Sequence, residues 1–148
     1  MWKRLISGFG GAIALNALHQ FVKKNYHGAP LFNEVEQEAI NKSLEKINLQ
    51  IKDEDKFYNA TMAGDVLSNG LFYTLTPFRM STVFGALGGL GAIVLPKKLG
   101  LDNTPIAGTD KKKMITVGYY IFGAMVASGI YKALTCNERK RKKDRSDS

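Results

Sequence analysis

At 148 residues the chain has room for one domain, and its formal charge of +8 points to an anionic surface as partner, either lipid headgroups or nucleic acid. Its one cysteine, Cys136, excludes an intrachain disulfide and a cysteine-built zinc knuckle. A slightly negative mean hydropathy of −0.15 would fit a water-soluble domain, but that average hides a segregation. Residues 23–56 hold 6 Lys and 7 Asp/Glu, whereas Met80–Leu95 holds no charge.

The first apolar stretch, Leu5–Val22, follows Lys3 and Arg4 and ends at Lys23-Lys24. Its flanks resemble a signal peptide, but no small-x-small cleavage site fits and Asn16, His19 and Gln20 interrupt its far end, so an uncleaved helix is expected. Small residues recur four apart, Ser7 with Gly11 and Gly8 with Ala12, a spacing that lets two helix backbones approach closely in lipid.

Gly28 and Pro30 break the chain. Asn33 then reads as an N-cap with Glu36 closing a capping box. Ile40, Leu44, Ile47 and Ile51 lay one apolar stripe along a charged helix over about 34–51. This helix is too charged to cross a bilayer and is expected on the surface or over the bundle.

The second stretch, Phe57–Thr76, opens on Phe57-Tyr58 and carries Phe72-Tyr73 near its end, as in an interfacial aromatic belt. Pro77 ends it, and Arg79 occupies a tight connection to the third stretch, Met80–Leu95. Its 16 residues span about 24 Å, short of the roughly 30 Å hydrocarbon core, so Arg79 and Lys97 are expected to snorkel. Ser81, Gly85 and Gly89 align on one face. Residues 96–113 form a loop, and the fourth stretch, Met114–Leu134, contains Gly118, Gly123 and Gly129. The charged tail 136–148 lacks apolar anchors and reads as disordered.

The pattern predicts an all-α fold. Four membrane helices (about 5–22, 57–76, 80–95 and 114–134) form one domain over residues 1–135, with the amphipathic helix between the first two. The packing face is assigned to Gly8, Gly11, Ser81, Gly85, Gly88, Gly89 and Gly123, and the third and fourth helices are expected to meet through it. Lys/Arg counts across the loops nearly balance; the compact basic flanks place both termini in the cytoplasm. Short loops and the missing presequence suggest a bacterial inner membrane.

Asp65 stands near the middle of the second stretch, where an unpaired carboxylate costs several kcal/mol. Thr61, Ser68 and Asn69 share its helical face, and Asn16 and His19 of the first stretch fall at a similar depth. A polar network of Asn16, His19, Thr61, Asp65, Ser68 and Asn69 is therefore expected between the first two helices. It can join helices, or it can bind or relay a proton or cation through Asp65 and His19; the joining role is favoured, because a transport path needs several deep ionisable groups.

Other motifs carry less. Gly8-Phe9-Gly10-Gly11 and Gly85–Gly91 match neither a Walker loop nor a dinucleotide fingerprint. Asp53-Glu54-Asp55 lacks the ligand spacing of an EF-hand. No catalytic set, metal site or cofactor is expected. Cys136 could accept an acyl chain but reads as a free thiol. Arg139, Lys140, Arg141, Lys142 and Lys143, beside the last crossing, are expected on anionic headgroups rather than nucleic acid. The function expected is a non-enzymatic membrane scaffold or accessory subunit contacting itself or another membrane protein. The alternative is a small proton or cation channel or transporter.

Overall fold

The computed structural model describes residues 1–51 and 53–146, with side chains described as far as Cys136. Helices α1 (Trp2–Asn25), α2 (Phe32–Glu45), α3 (Glu54–Leu75), α4 (Ser81–Lys98), α5 (Thr104–Ala107) and α6 (Asp110–Ser146) carry the fold, and a 3-10 turn, Phe78–Met80, precedes α4. The described residues contain no strand. Three segments are long and apolar enough to cross a membrane: Trp2–Asn25, Phe78–Lys98 and Asp110–Cys136.

The directions of the long helices follow from their contacts. Lys3 Nζ donates to Leu134 O, and Gly11 lies against Gly123 and Ala127, so α1 and α6 are antiparallel. Thr74 lies beside Gly8 while Gln20 reaches Met62, so α3 runs antiparallel to α1. Gly85 meets Ile121, Gly89 meets Val117, and Ser128 donates to Phe78 O, which sets α4 antiparallel to α6. The N-terminus, the α3–α4 connection and Cys136 therefore share one end of the bundle.

Several boundaries differ from the sequence reading. The third stretch does not stop at Leu95: α4 continues through Pro96 to Lys98, and with the preceding turn the span reaches 21 residues, about 31 Å at 1.5 Å per residue. Proline is tolerated in this last turn. Leu101 N bonds Pro96 O, Asn103 Nδ2 bonds Ile93 O, and Gly100 supplies the left-handed φ of 75° that closes the helix.

Helix α2 starts and stops earlier than expected. Its N-cap is Leu31, with no side-chain cap, and Asn33 is buried in the first turn. The start is set by tertiary contacts: Leu31 N bonds Pro105 O and Phe32 packs on His19, Tyr119 and Tyr120. Asn48, at φ 53°, ends the helical path, with Leu49 N bonding Leu44 O in a Schellman-type closure. Ile47 and Ile51 are consequently exposed, and the buried face is Phe32, Asn33 and Val35 instead of the isoleucine stripe.

Helix α6 runs through Ser146, into the tail expected to be disordered. No glycine or proline interrupts residues 130–146, and Lys, Arg and Glu are good helix formers. The side chains of Arg139, Lys140, Arg141, Lys142 and Lys143, assigned to anionic lipid, lie outside the described residues.

The aromatic belt is also only partly a surface feature. Tyr73 is completely buried over Gly123 and donates to Tyr120 O at 3.0 Å, and Tyr119 is 3 % exposed. The Tyr73 hydroxyl is satisfied by that main-chain carbonyl as it would be by interfacial water, whereas the buried Tyr119 hydroxyl has no hydrogen-bond partner among the described residues. The surface of the bundle is apolar: Ile6, Ile13 and Phe21 on α1, Leu67, Leu71 and Leu75 on α3, Val83, Leu87, Leu90 and Val94 on α4, and Phe122 and Met125 on α6 are exposed.

Candidate functional site

Asp65 lies midway along α3, on the side that faces α2. Asn69, one turn later and buried, donates from Nδ2 to Asp65 Oδ1 at 2.6 Å. The second partner comes from α2, at the position that the sequence pattern assigns to a capping box. Glu36, on the first half of α2, turns its carboxyl toward Asp65 within hydrogen-bonding reach. Two carboxyls in contact cannot both carry charge without strong repulsion. Burial first, and then the neighbouring Asp65 carboxyl, push the Glu36 carboxyl up to about 9, so Glu36 holds a proton at neutral pH.

Tyr120 from α6 completes the junction, with its hydroxyl facing the Asn69 side chain and its ring packed on Phe72 and Phe32. Tyr73 ties the Tyr120 backbone to α3. The site thus joins α2, α3 and α6: an acid pair, an amide and two phenols in one continuous cluster.

The remaining members of the expected network are not part of it. Asn16 is buried, but its Nδ2 donates to Ala12 O on its own helix. Thr61 donates to Phe57 O and Ser68 to Asp65 O, each again on its own helix. An isolated hydroxyl or amide on a helix always has the carbonyl one turn back within reach, which is why shared depth did not translate into contact. His19, from α1, feels the Asp65 charge but bonds through Nε2 to Pro30 O at 3.0 Å. Its ring packs edge-on against Phe32, at 5.1 Å between centroids. His19 therefore pins the α1–α2 connection and delivers α2, with Glu36, to the bundle.

Replacing His19 with Phe keeps the ring and leaves the buried Pro30 carbonyl without its donor. The expected cost is about 1–3 kcal/mol, read as a lowered thermal midpoint in detergent with faster proteolysis at residues 26–31. An unaltered midpoint and cleavage rate would deny His19 this role.

The glycines assigned to packing take different neighbours. A methyl group at Gly85 would lie 2.7 Å from Ile121 Cα, and at Gly89 2.6 Å from Val117 Cα, both backbone of α6. At Gly11 it would meet Gly123 O at 2.5 Å. Gly8 faces Thr74 and Gly70 of α3, Gly88 faces the Phe72 ring, and Gly123 faces Tyr73. Ser81 opens α4 and is half-buried. Gly70, absent from the sequence-based set, receives the Phe9 ring.

Among the described residues no group of three or more His, Cys, Asp or Glu is placed to hold a metal ion. Comparison with known protein families, with curated proteins and with solved structures gave no match.

Proposed function

We propose that this chain crosses the membrane four times, with α3 as the fourth crossing, and serves as a non-enzymatic scaffold or accessory subunit. The observation that carries the topology is the direction of the helices. α1 and α4 both start at the end of the bundle that holds the N-terminus, as the Arg4 contacts with Thr76 O and the Phe78 ring require. If α1, α4 and α6 cross, the chain between α1 and α4 must return across the bilayer, and α3 is the segment that does so. Its 22 residues cover about 33 Å. Between Lys56 and Arg79 its one charged residue is Asp65, which is engaged by Asn69 and Glu36. Its exposed side carries Ala63, Gly64, Leu67, Leu71 and Leu75.

The shared end holds Lys3, Arg4, Arg79 and Lys132, and residues 1–33, 66–101 and 111–137 contain no Asp or Glu. Lys23, Lys24, Lys97, Lys98, Lys111, Lys112 and Lys113 at the opposite end nearly balance the count, so the cytoplasmic side is assigned from the compact basic flanks of the first and last crossings, which put both termini on that side of a membrane such as the bacterial inner membrane. The scaffold role is supported by how the polar side chains are used. Asn16, Thr61, Thr116, Ser128 and Tyr73 are all committed to backbone carbonyls. The α4 span is the most open, with 11 % of its apolar stretch buried inside the bundle, and its Val83, Leu87, Leu90 and Val94 face is available to a neighbouring membrane helix. A second reading, a proton or cation pathway, is favoured by one observation: Glu36 doubles the carboxyl at Asp65.

Purification in mild detergent is expected to recover the chain as an oligomer or with a stoichiometric membrane partner. In liposomes, wild type and Asp65→Asn are expected to give the same background proton and cation flux. A lone monomer would overturn the scaffold reading, and flux lost in Asp65→Asn would put the second in its place.

A further inference from the structure

The cytoplasmic-facing end contains a cavity that neither reading uses. It has a volume of about 320 Å³ and is lined by Phe78, Arg79, Tyr131, Lys132, Thr135 and Cys136. The floor is a stacked pair of rings, Phe78 on Tyr131, with centroids 4.4 Å apart and planes 20° from parallel. Ser128 holds this floor by donating to Phe78 O, and the Arg4 guanidinium lies 5.5 Å from the Phe78 ring centroid. The rim is cationic, because Arg79 and Lys132 are both exposed and no described carboxylate lines the cavity. The ion pairs described are Lys42–Glu38, Lys56–Asp53 and Lys113–Asp110, none of which involves Arg79 or Lys132.

We propose that this cavity is a binding site for the phosphate headgroup of an anionic phospholipid, held by Arg79 and Lys132, with the glycerol and upper acyl region on the Phe78–Tyr131 floor. A free phosphate would use the two cations but has no need of a stacked aromatic floor. The exposed apolar side chains of Leu75, Met80 and Val83, on the segments that flank the α3–α4 connection, offer a path for the acyl chain. Arg79 presents a planar fork to phosphate, and Lys132 a point charge. The proposal rests on the membrane reading above and is separate from the basic run 139–143.

The test uses the full chain, delipidated in detergent and titrated with phosphatidylglycerol, phosphatidylcholine or inorganic phosphate. Bound lipid is counted by native mass spectrometry. One phosphatidylglycerol per chain is expected, with phosphatidylcholine and phosphate binding far more weakly. The double variant Arg79→Ala/Lys132→Ala is expected to bind roughly tenfold or more weakly, while Lys97→Ala/Lys98→Ala, at the other end of α4, retains wild-type affinity. Thr135→Trp, which keeps both cations and fills the cavity, is expected to lose binding too. Phosphatidylglycerol should also slow the reaction of the single thiol, Cys136, with an uncharged maleimide. Equal losses from the two alanine pairs, equal binding of phosphatidylcholine, full competition by phosphate, or binding retained in Thr135→Trp would each overturn the site. A chain that still partitions into membranes after any of these results leaves the membrane reading standing; one that stays monodisperse without detergent removes both.

Discussion

Leucine at both Gly85 and Gly89 separates α4 from α6 and removes most of the stability that their contact provides. The closest atoms to an added Cβ at these positions are Ile121 Cα and Val117 Cα, at 2.7 and 2.6 Å. These are backbone atoms of a helix, which cannot rotate aside as the end of a side chain can. The whole of α4 must move outward, and its close packing on α6 is lost along its length. Overpacking costs about 1–3 kcal/mol per site in ordinary cores, and two backbone clashes on one face are expected to exceed the upper figure. Gly91 and Gly118 have open space around the position of an added Cβ, so Gly91→Leu and Gly118→Leu serve as controls. They add the same apolar side chains to the same helices. The measurement is thermal unfolding in detergent, followed by helicity. A double variant at 85 and 89 as stable as the two controls would show that α4 and α6 do not meet as described.

Raising the pH is expected to release α2 from α3. Glu36 carries its proton in the folded chain up to about pH 9, because burial and the adjacent Asp65 charge oppose ionisation. An undocked Glu36 would ionise in the ordinary carboxylate range. Between the two values the docked form holds a proton that the undocked form has lost, so stability falls as pH rises across that window. The contribution is fully present below the ordinary carboxylate range and is gone once the pH passes the folded value. The groups facing the pair are Asn69 on α3 and the Tyr120 hydroxyl on α6, and His19 on α1 lies within the reach of the Asp65 charge. A thermal midpoint in detergent should therefore drop by several degrees or more from pH 6 to pH 10. In Glu36→Gln the amide donates to Asp65 at every pH, and the decline should nearly vanish. Proteolysis in residues 46–53 should rise with pH in the wild type and remain flat in the variant. A pH-independent wild type would remove the proton from this junction.

The three helices long and apolar enough to cross a membrane were legible because each is apolar as a local sum over its own residues. Asp65 was legible as the odd residue for the same reason, since a carboxyl amid apolar neighbours is visible without any fold. Its partner was not. Glu36 stands three residues after Asn33, and in one dimension that spacing is a capping box; only the docking of Phe32 beneath His19 and Tyr120 moves the helix start and frees Glu36 to turn toward α3. Tyr73 misled in the opposite direction. An aromatic near the end of an apolar stretch suits an interface, yet the missing side chain at Gly123 leaves a hollow that its ring fills.

What the amino-acid order determines alone is the set of helices and the solvent their surfaces suit, because length, hydropathy and helix propensity are properties of neighbours in the chain. Which buried polar group meets which is decided in three dimensions. Asn16, Thr61 and Ser68 each had a carbonyl on their own helix within reach and took it. Two acids 29 positions apart had no such local choice and were brought together by the packing of α2.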